Sequence, residues 1–152
     1  MKKVLSVLLV TISILNIAFY TVAGNESDMT TAGVSTTDSQ VYANGLILEK
    51  CVEITKDSTG RNIEIVAETH CITSVVKCGV SKMVVERRKN SSYSWETFTT
   101  YEDFYVDDFT FTLFKSFYAP TGFEYRVITT HYAKKSIFSI QTGNLTSLTI
   151  KM

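Results

Sequence analysis

Apolar and polar side chains alternate along most of this chain, and that alternation constrains the fold more than any other feature of the sequence. Leu48, Val52 and Ile54 share one face of the first alternating run. Ile63 and Ile65 do the same in the second run, with charged residues between them. A period of two is the side-chain spacing of a β-strand that is buried on one side. We therefore expect strands rather than helices.

The first two runs flank a turn sequence, Asp57–Gly60, in which the glycine accepts a positive φ. This order predicts a β-hairpin. Its expected register places Ile54 near Ile63, and it places Val52 near Ile65. Such a register buries all four side chains on the same face of the sheet.

Further alternating runs, separated by turn signals, bring the total to seven or eight short strands, and no helical stripe longer than two turns lies among them. A length of 152 residues suits one domain. We expect an all-β fold, an antiparallel β-sandwich, over residues 45–152. The formal net charge of zero argues against a nucleic-acid partner, because phosphate binding depends on clustered Lys and Arg.

Residues 1–23 have the three-part layout of a secretory signal peptide. Lys2 and Lys3 precede an apolar stretch, and small residues end at Ala23, where we expect cleavage. The mature protein would then be secreted, with membrane contact only through this peptide before cleavage. The alternative is an uncleaved membrane anchor, because a run of about 19 residues nearly spans a bilayer. Polar residues inside the stretch weaken that alternative.

Residues 24–44 are rich in Ser, Thr, Asn, Asp and Gly, and their few apolar residues follow no period of two or 3.6. Such a composition is typical of a flexible segment. We interpret it as a lead that connects the signal peptide to the folded domain.

Two later stretches carry a resemblance to known folds. Residues 84–100 contain a strand, a polar turn and then Trp95, and residues 120–133 contain a turn followed by a strand that opens on Tyr125. This order resembles the central half of a fibronectin type III or immunoglobulin-like domain. The resemblance implies that Tyr125 buries its ring at a structural corner and that its hydroxyl bonds back to the backbone, near Pro120.

The chain is also similar to an uncharacterised family of small secreted proteins from Firmicutes. The similarity rests on Val85-Glu86, the Ser-rich turn Asn90–Ser94, Trp95, and the strand that begins Tyr125-Arg126-Val127. It covers about residues 46–133. That family implies an all-β fold and an extracellular location, and it brings no known activity.

The three cysteines leave the disulfide state open, because export permits disulfides without forcing them. Cys71 and Cys78 are separated by six residues that could link two strands, so a bridge between them would close a short loop. The alternative is that all three thiols stay reduced. Cys51 has no evident partner and would be either a half-buried small side chain or an intermolecular link.

The sequence lacks the patterns of catalytic and cofactor sites. It has no G-x-S-x-G elbow, phosphate loop, dinucleotide fingerprint or CxxC pair. His70 and Cys71 are adjacent, so on a strand they face opposite ways. A hydrolase would require His131 beside a carboxylate and a Ser or Cys in a cleft. We expect no enzyme activity, no cofactor and no metal site.

Four carboxylates, Glu102, Asp103, Asp107 and Asp108, lie within seven residues. They could supply oxygen ligands to calcium, although their spacing does not match an EF-hand loop. A solvated acidic loop is the simpler interpretation. The basic run 87–89 ends a strand, and it could be a solvated strand end or could pair with this acidic segment.

Aromatic residues give the one hint of a binding surface. Tyr93, Trp95 and Tyr101 lie close together beside a polar turn, and we expect them to contact a ligand. Exposed rings bury much area at low entropic cost, so they suit a glycan or a protein partner. The first functional hypothesis is therefore a non-enzymatic extracellular binding or surface-interaction module. The alternative is a self-associating structural or effector protein that pairs through Cys51 or an edge strand.

Overall fold

The structure is a computed structural model, and it describes residues 36–41 and 45–152. The signal peptide expected at residues 1–23 and most of the expected lead lie outside these residues. The described part of the chain contains nine strands and no helix. The strands are β1 (Thr36–Val41), β2 (Ile47–Lys56), β3 (Asn62–Cys71), β4 (Lys77–Arg88), β5 (Glu96–Val106), β6 (Thr110–Tyr118), β7 (Glu124–Ser136), β8 (Ser139–Thr146) and β9 (Ile150–Lys151).

The strands form two antiparallel sheets. The first sheet has the order β1-β2-β3-β6, and the second has the order β5-β4-β7-β8, with β9 also paired to β7. The second sheet contains the longest strand, β7, with 13 residues. The fold is therefore the all-β antiparallel sandwich that the alternating pattern predicts. Within the described ranges, no helix has the length and apolar character needed to cross a membrane.

The main core lies between the two sheets and comes from the residues that alternation places on the inner faces. Val52 and Ile54 of β2, and Ile63 and Ile65 of β3, are each at most 1% exposed. The second sheet supplies the other half of this core, from β4, β7 and the end of the chain: Val80, Met83, Val85, Tyr125, Val127, Leu145 and Ile150. Burial of this apolar area is the main favourable contribution to folding.

A smaller apolar cluster lies at the end of the sandwich where β2 begins and β3 ends. It contains Ile47, Cys71, Val75, Cys78 and Ala133. The loop between β3 and β4 contributes Val75 to this cluster, and a hydrogen bond from the Val75 backbone nitrogen to Ile72 O at 3.1 Å closes its turn. Both cysteines of the expected bridge thus belong to a second, smaller core.

The β2–β3 hairpin is confirmed, but the predicted register is wrong by two residues. Ile54 lies opposite Ile65, not Ile63, and Val52 lies opposite Ala67. The shift arises in the turn. There the Asp57 carboxylate accepts hydrogen bonds from the backbone nitrogens of Arg61 and Asn62, and these bonds widen the loop. A shift of two keeps the same face buried, which is why Val52, Ile54, Ile63 and Ile65 are still in the core. Leu48, expected on the same face, is instead 39% exposed, because the register shifts between Ile47 and Glu49.

One part of the expected lead belongs to the fold. Thr36–Val41 forms β1 and pairs with β2 over its whole length. This correction has a simple cause. An edge strand needs only backbone hydrogen bonds to its neighbour, so it can form without the alternating apolar residues that mark a core strand.

The strand β5 is continuous from Glu96 to Val106. It contains a β-bulge. Val85 of β4 lies opposite Thr99, while Glu86 lies opposite Thr97, so Phe98 is an extra residue. A bulge of one residue reverses which faces the flanking side chains occupy. This reversal decides where the expected contact residues are placed.

Candidate functional site

The candidate site lies on the outer face of the second sheet, where β4, β5 and β7 meet. The ring of Trp95, just before β5, lies against two guanidinium groups. Arg88 Cζ and Arg126 Cζ are each 4.4 Å from the ring centroid. Each such cation–π contact contributes about 0.5–1 kcal/mol at an exposed site. Trp95 is therefore held on the sheet while its ring remains partly exposed.

Two ion pairs fix the arginines in place. The register of β4 and β7 sets Arg88 opposite Glu124, and it sets Arg126 opposite Glu86. In each pair the arginine Nε donates to a glutamate Oε2 at 2.7 Å. All four charged side chains are 30% exposed or less. We call these four residues together with Trp95 the Trp95 cluster.

The sequence analysis singled out Trp95 but missed its four charged neighbours. Their signal was present, because alternation places Glu86 and Arg88 on one face of β4, and Glu124 and Arg126 on one face of β7. The basic run 87–89 does not pair with the acidic segment, as one alternative held. Arg87 pairs with Glu96 at 2.7 Å, and Arg88 pairs with Glu124.

The three expected contact residues do not form one surface. Tyr93 is 54% exposed in the turn before β5, where its backbone nitrogen donates to Asn90 O. Tyr101 instead lies opposite Met83, on the face that packs against the core, with Lys115 Nζ 4.7 Å from its ring centroid. Tyr93 and Trp95 thus stay close in the chain at one end of the sheet. Tyr101 does not belong with them.

A second feature is a concavity of 470 Å³ on the first sheet. Its lining combines the exposed ring of Phe114 with carboxylates and a lysine: Glu53, Thr55, Glu64, Ile65, Val66, Phe114, Lys115 and Ser116. It lies on β2, β3 and β6, so it contains none of the expected contact residues. We take the Trp95 cluster as the stronger candidate, because its side chains are held rigidly by named contacts.

His131 lies in the core and has no access to solvent. Its Nδ1 is 2.8 Å from Thr69 Oγ1, and its Nε2 is 2.8 Å from Thr129 Oγ1. Thr69 donates its own hydroxyl hydrogen to Gly79 O at 3.0 Å, so it accepts from His131 Nδ1–H. Thr129 has a second acceptor, Leu145 O, at the longer distance of 3.4 Å, so we assign its hydroxyl hydrogen to the unprotonated Nε2 at 2.8 Å. The neutral imidazole therefore has a partner for both of its nitrogens.

Burial holds His131 in this neutral form. Desolvation, with a smaller contribution from the positive charge of Lys50, lowers the pKa of His131 to about 4. Lys50 is itself 1% exposed, and its Nζ donates to Asn144 O. The two hydroxyls around His131 come from threonines, and neither contact includes a carboxylate. This histidine is arranged as a buried structural group.

Cys71 and Cys78 are neighbours across the smaller core. Both are buried and unbridged in the structure, and the Cys78 thiol donates to Thr69 O at 3.9 Å. The neighbouring Cys71 thiol, together with burial, raises the pKa of the Cys78 thiol well above its usual range. Both thiols belong to the same small core, and the bridge between them stays a prediction.

The four carboxylates of the acidic segment do not converge. Glu102 pairs with Lys82 at 3.7 Å, and Asp107 lies 3.9 Å from Lys77. Asp103 accepts a hydrogen bond from the Tyr105 hydroxyl at 3.3 Å. Among residues 36–41 and 45–152, no group of three or more His, Cys, Asp or Glu side chains is placed to hold a metal ion.

Comparison of the chain with protein-family models, with curated proteins and with solved structures found no match in any of the three. The functional argument therefore rests on the geometry of the Trp95 cluster and its surroundings.

Proposed function

We propose that this chain is a secreted, non-enzymatic binding module, and that the Trp95 cluster with Tyr93 is its contact surface. The observation that carries the proposal is the contact of the Trp95 ring with Arg88 and Arg126, each fixed by a glutamate. Trp, Tyr and Arg are the residue types that dominate binding energy at protein interfaces. A planar ring beside fixed charges also suits a glycan, with ring stacking on the sugar face and hydrogen bonds to its hydroxyls.

Preorganisation strengthens this argument. A surface binds weakly when its side chains must be ordered on binding, at about 0.5–1.5 kcal/mol for each flexible side chain. The ion pairs Arg88–Glu124 and Arg126–Glu86 already order four side chains in the free protein. The Trp95 cluster therefore presents its ring with little further loss of entropy.

We also infer that the sandwich is immunoglobulin-like. The order β2-β3-β6 corresponds to strands A, B and E of that fold, and β4-β7-β8 corresponds to C, F and G. The strand β5 pairs with β4 as an additional strand does in variable-type domains. The bond from Tyr125, at the start of β7, to Pro120 agrees with the corner of such domains. Many extracellular binding modules use this architecture, which supports an extracellular role for a chain with an N-terminal export pattern.

The surroundings of the histidines support a non-enzymatic role. His131 is 0% exposed and bonded to two threonines, so it cannot contact a substrate. His70 lies 3.7 Å from Glu68 on the surface of β3. Neither contact includes a Ser or Cys nucleophile.

Self-association through Cys51 is the less favoured alternative. Burial, followed by the nearby carboxylates, raises the pKa of Cys51 to about 11. The thiolate is the reactive form of cysteine, so Cys51 is a poor nucleophile at neutral pH. An intermolecular disulfide through this residue is correspondingly slow to form.

The test compares wild-type protein with Tyr93→Ala and Trp95→Ala on a glycan array and on a panel of extracellular proteins. Tyr93 is the sharper variant, because its exposed ring can be removed without disturbing the Trp95 cluster. Phe114→Ala is the matched control, since Phe114 is 73% exposed on the other sheet. We expect a ligand whose binding falls at least tenfold in both cluster variants and is unchanged in the control. Ligands that bind all four proteins equally would refute the assignment of this surface.

A further inference from the structure

The turn between β7 and β8 has a composition that folding does not explain. Ser136 pairs with Ser139, so Ile137 and Phe138 form a two-residue turn. Two-residue hairpin turns are often built from Gly, Asn and Asp because they need a positive φ, but neither Ile137 nor Phe138 has a positive φ, so this turn accepts ordinary side chains. Here two bulky apolar side chains occupy it, and they are 73% and 94% exposed. Phe138 is thus almost fully in water, where its ring adds nothing to the stability of the fold.

The apolar surface continues beyond the turn. Ile140, the second residue of β8, is 52% exposed, and Val76 in the neighbouring loop is 55% exposed. The Val76 backbone nitrogen donates to Lys134 O at 2.8 Å, which fixes that loop beside the hairpin. We call Val76, Ile137, Phe138 and Ile140 the apolar tip.

Lysines border the apolar tip. Lys134 and Lys135 immediately precede the turn, and Lys77 lies opposite Lys134 on β4. Among these lysines, Lys77 lies 3.9 Å from the Asp107 carboxylate, and Asp108 follows Asp107 in the β5–β6 turn. After Glu124, the first residue of β7, the chain contributes no further negative charge to the hairpin, because residues 125–152 contain four Lys or Arg side chains and no Asp or Glu. The chain as a whole has a formal net charge of zero, so this segment is distinctly basic.

We propose that the apolar tip inserts into the surface of an anionic lipid bilayer, with Lys134 and Lys135 at the level of the headgroups. Apolar side chains gain free energy when they leave water for the acyl boundary, and adjacent lysines add attraction to anionic lipids. Long lysine side chains can keep their charge in the headgroup layer while their stems follow the apolar residues. The sequence analysis expected membrane contact only through the signal peptide, so this is a different and additional contact.

The insertion is independent of the proposed ligand surface. The Trp95 cluster lies where β4 ends and β7 begins, whereas the apolar tip lies where β4 begins and β7 ends. The two surfaces therefore occupy opposite ends of the second sheet. Loss of one by mutation leaves the other in place.

The first test measures sedimentation with vesicles. The protein is purified from the medium of a secreting host, its N-terminus is identified by mass spectrometry, and it is mixed with vesicles of phosphatidylcholine alone or with phosphatidylglycerol. We expect binding to the anionic vesicles, and we expect Phe138→Ser to reduce it by about tenfold or more. Phe114→Ser is the matched control, because it removes another exposed phenylalanine from a surface far from the hairpin. Both variants share one N-terminus, so any contribution of that segment cancels.

The lysines are tested by charge reversal. Loss of one lysine charge near the surface corresponds to about 1 kcal/mol, or about fivefold in the partition coefficient. Lys134→Glu and Lys135→Glu each change the charge by two units, so we expect each to lower the partition coefficient on anionic vesicles by more than fivefold. Lys56→Glu, on the β2–β3 hairpin at the other end of the sandwich, is the control. Raising the salt concentration to about 1 M shortens the screening length to about 3 Å and should weaken binding of the wild type.

The second test places a fluorophore at the tip. The chain has a single tryptophan, so Phe138→Trp and Phe114→Trp carry the same Trp95 background. We expect anionic vesicles to shift the emission of the Phe138→Trp variant to shorter wavelength and to leave the Phe114→Trp variant unchanged. Equal shifts in the two variants, or equal vesicle binding by wild type and Phe138→Ser, would overturn the proposal. Conversion of a dimer to a monomer by Phe138→Ser, without vesicle binding, would assign the tip to a second copy of this chain and would also overturn it.

Discussion

The hydroxyl of Tyr125 donates a 2.9 Å hydrogen bond to the carbonyl oxygen of Pro120, five residues earlier in the chain. The tyrosine is 0% exposed, and its ring packs edge-on against Phe98 with the centroids 5.8 Å apart. One side chain thus fills the core between the sheets and fastens the connection that leads from β6 to β7. The ring and the hydroxyl make separable contributions.

Tyr125→Phe should separate them. The variant retains the ring contacts and loses the bond to Pro120, so we expect unfolding free energy to fall by about 1 kcal/mol. Urea denaturation monitored by circular dichroism measures the change. Tyr118→Phe, which alters a 66% exposed tyrosine, should leave stability unchanged. Equal stability of Tyr125→Phe and wild type would show that the bond is not a net contributor.

Gly79 is required by the close approach of β4 and β5. A Cβ at this position would lie 2.0 Å from the Phe104 carbonyl oxygen, and that oxygen belongs to the backbone. We expect Gly79→Ala to destabilise the protein by about 3 kcal/mol, the upper range for overpacking. Gly60→Ala is the comparison, since nothing lies within 4 Å of its Cβ and only its φ of 65° is unfavourable. Thermal and urea unfolding should therefore rank Gly79→Ala well below Gly60→Ala.

Stability should depend on pH through His131. Its pKa is lowered from 6.5 to about 4 in the folded state, so the unfolded chain binds more protons between these values. Unfolding is then favoured as pH falls through this window, and the loss reaches about 3 kcal/mol at its lower end. Urea titrations at a series of pH values measure how the unfolding free energy changes with pH, and this change is the slope. His131→Gln should remove it and His70→Gln should retain it.

Asp57 acts in a different window. Hydrogen bonds, first from the Thr59 hydroxyl and then from Asn62, lower its pKa from 3.8 to about 2. Its contribution is present above pH 3.8 and disappears as pH falls toward 2. We expect the unfolding free energy of Asp57→Asn to change with pH as that of the wild type does between pH 6.5 and 4. Such a result would exclude Asp57 from that window and leave the dependence there to His131.

The thiol pair gives a prediction about oxidation. Oxidised glutathione can accept the two thiol hydrogens of Cys71 and Cys78 and leave as two molecules of reduced glutathione. We expect this exchange to form one intramolecular bridge between Cys71 and Cys78. The bridge closes a loop of about eight residues and should stabilise the protein by about 2–3 kcal/mol on the chain-entropy model. Peptide mapping without reduction identifies the linked peptides, and Cys51→Ser should not alter them. Recovery of both cysteines as free, alkylated thiols after such treatment would contradict the prediction.

The alternation of apolar and polar residues predicted the sandwich, because every core strand buries one face and exposes the other. It placed Val52, Ile54, Ile63 and Ile65 on one buried face correctly. It could not supply their register, because the side-chain hydrogen bonds of Asp57 set the width of the turn, and such bonds are not visible as a pattern of apolar residues.

The candidate site was only partly predictable for a related reason. Trp95 and Tyr101 have the same parity in the sequence, but the bulge at Phe98 reverses the faces between them. The glutamates and arginines around Trp95 come from two strands that are distant in the chain, so only the register of β4 and β7 reveals that they pair. The apolar tip was hidden because Ile137 and Phe138 resemble the apolar members of any strand until the turn is located.

The length of β7 has a consequence for how the two proposed surfaces work together. Ten residue steps separate Arg126 from Ser136 on this strand, a rise of about 33 Å at about 3.3 Å per residue. Headgroup charges are screened within about 8 Å at physiological salt. A molecule that rests on a bilayer by its hairpin would therefore present Trp95 to a ligand beyond the electrostatic reach of the lipids, and could act as an adaptor that tethers the ligand to the cell envelope.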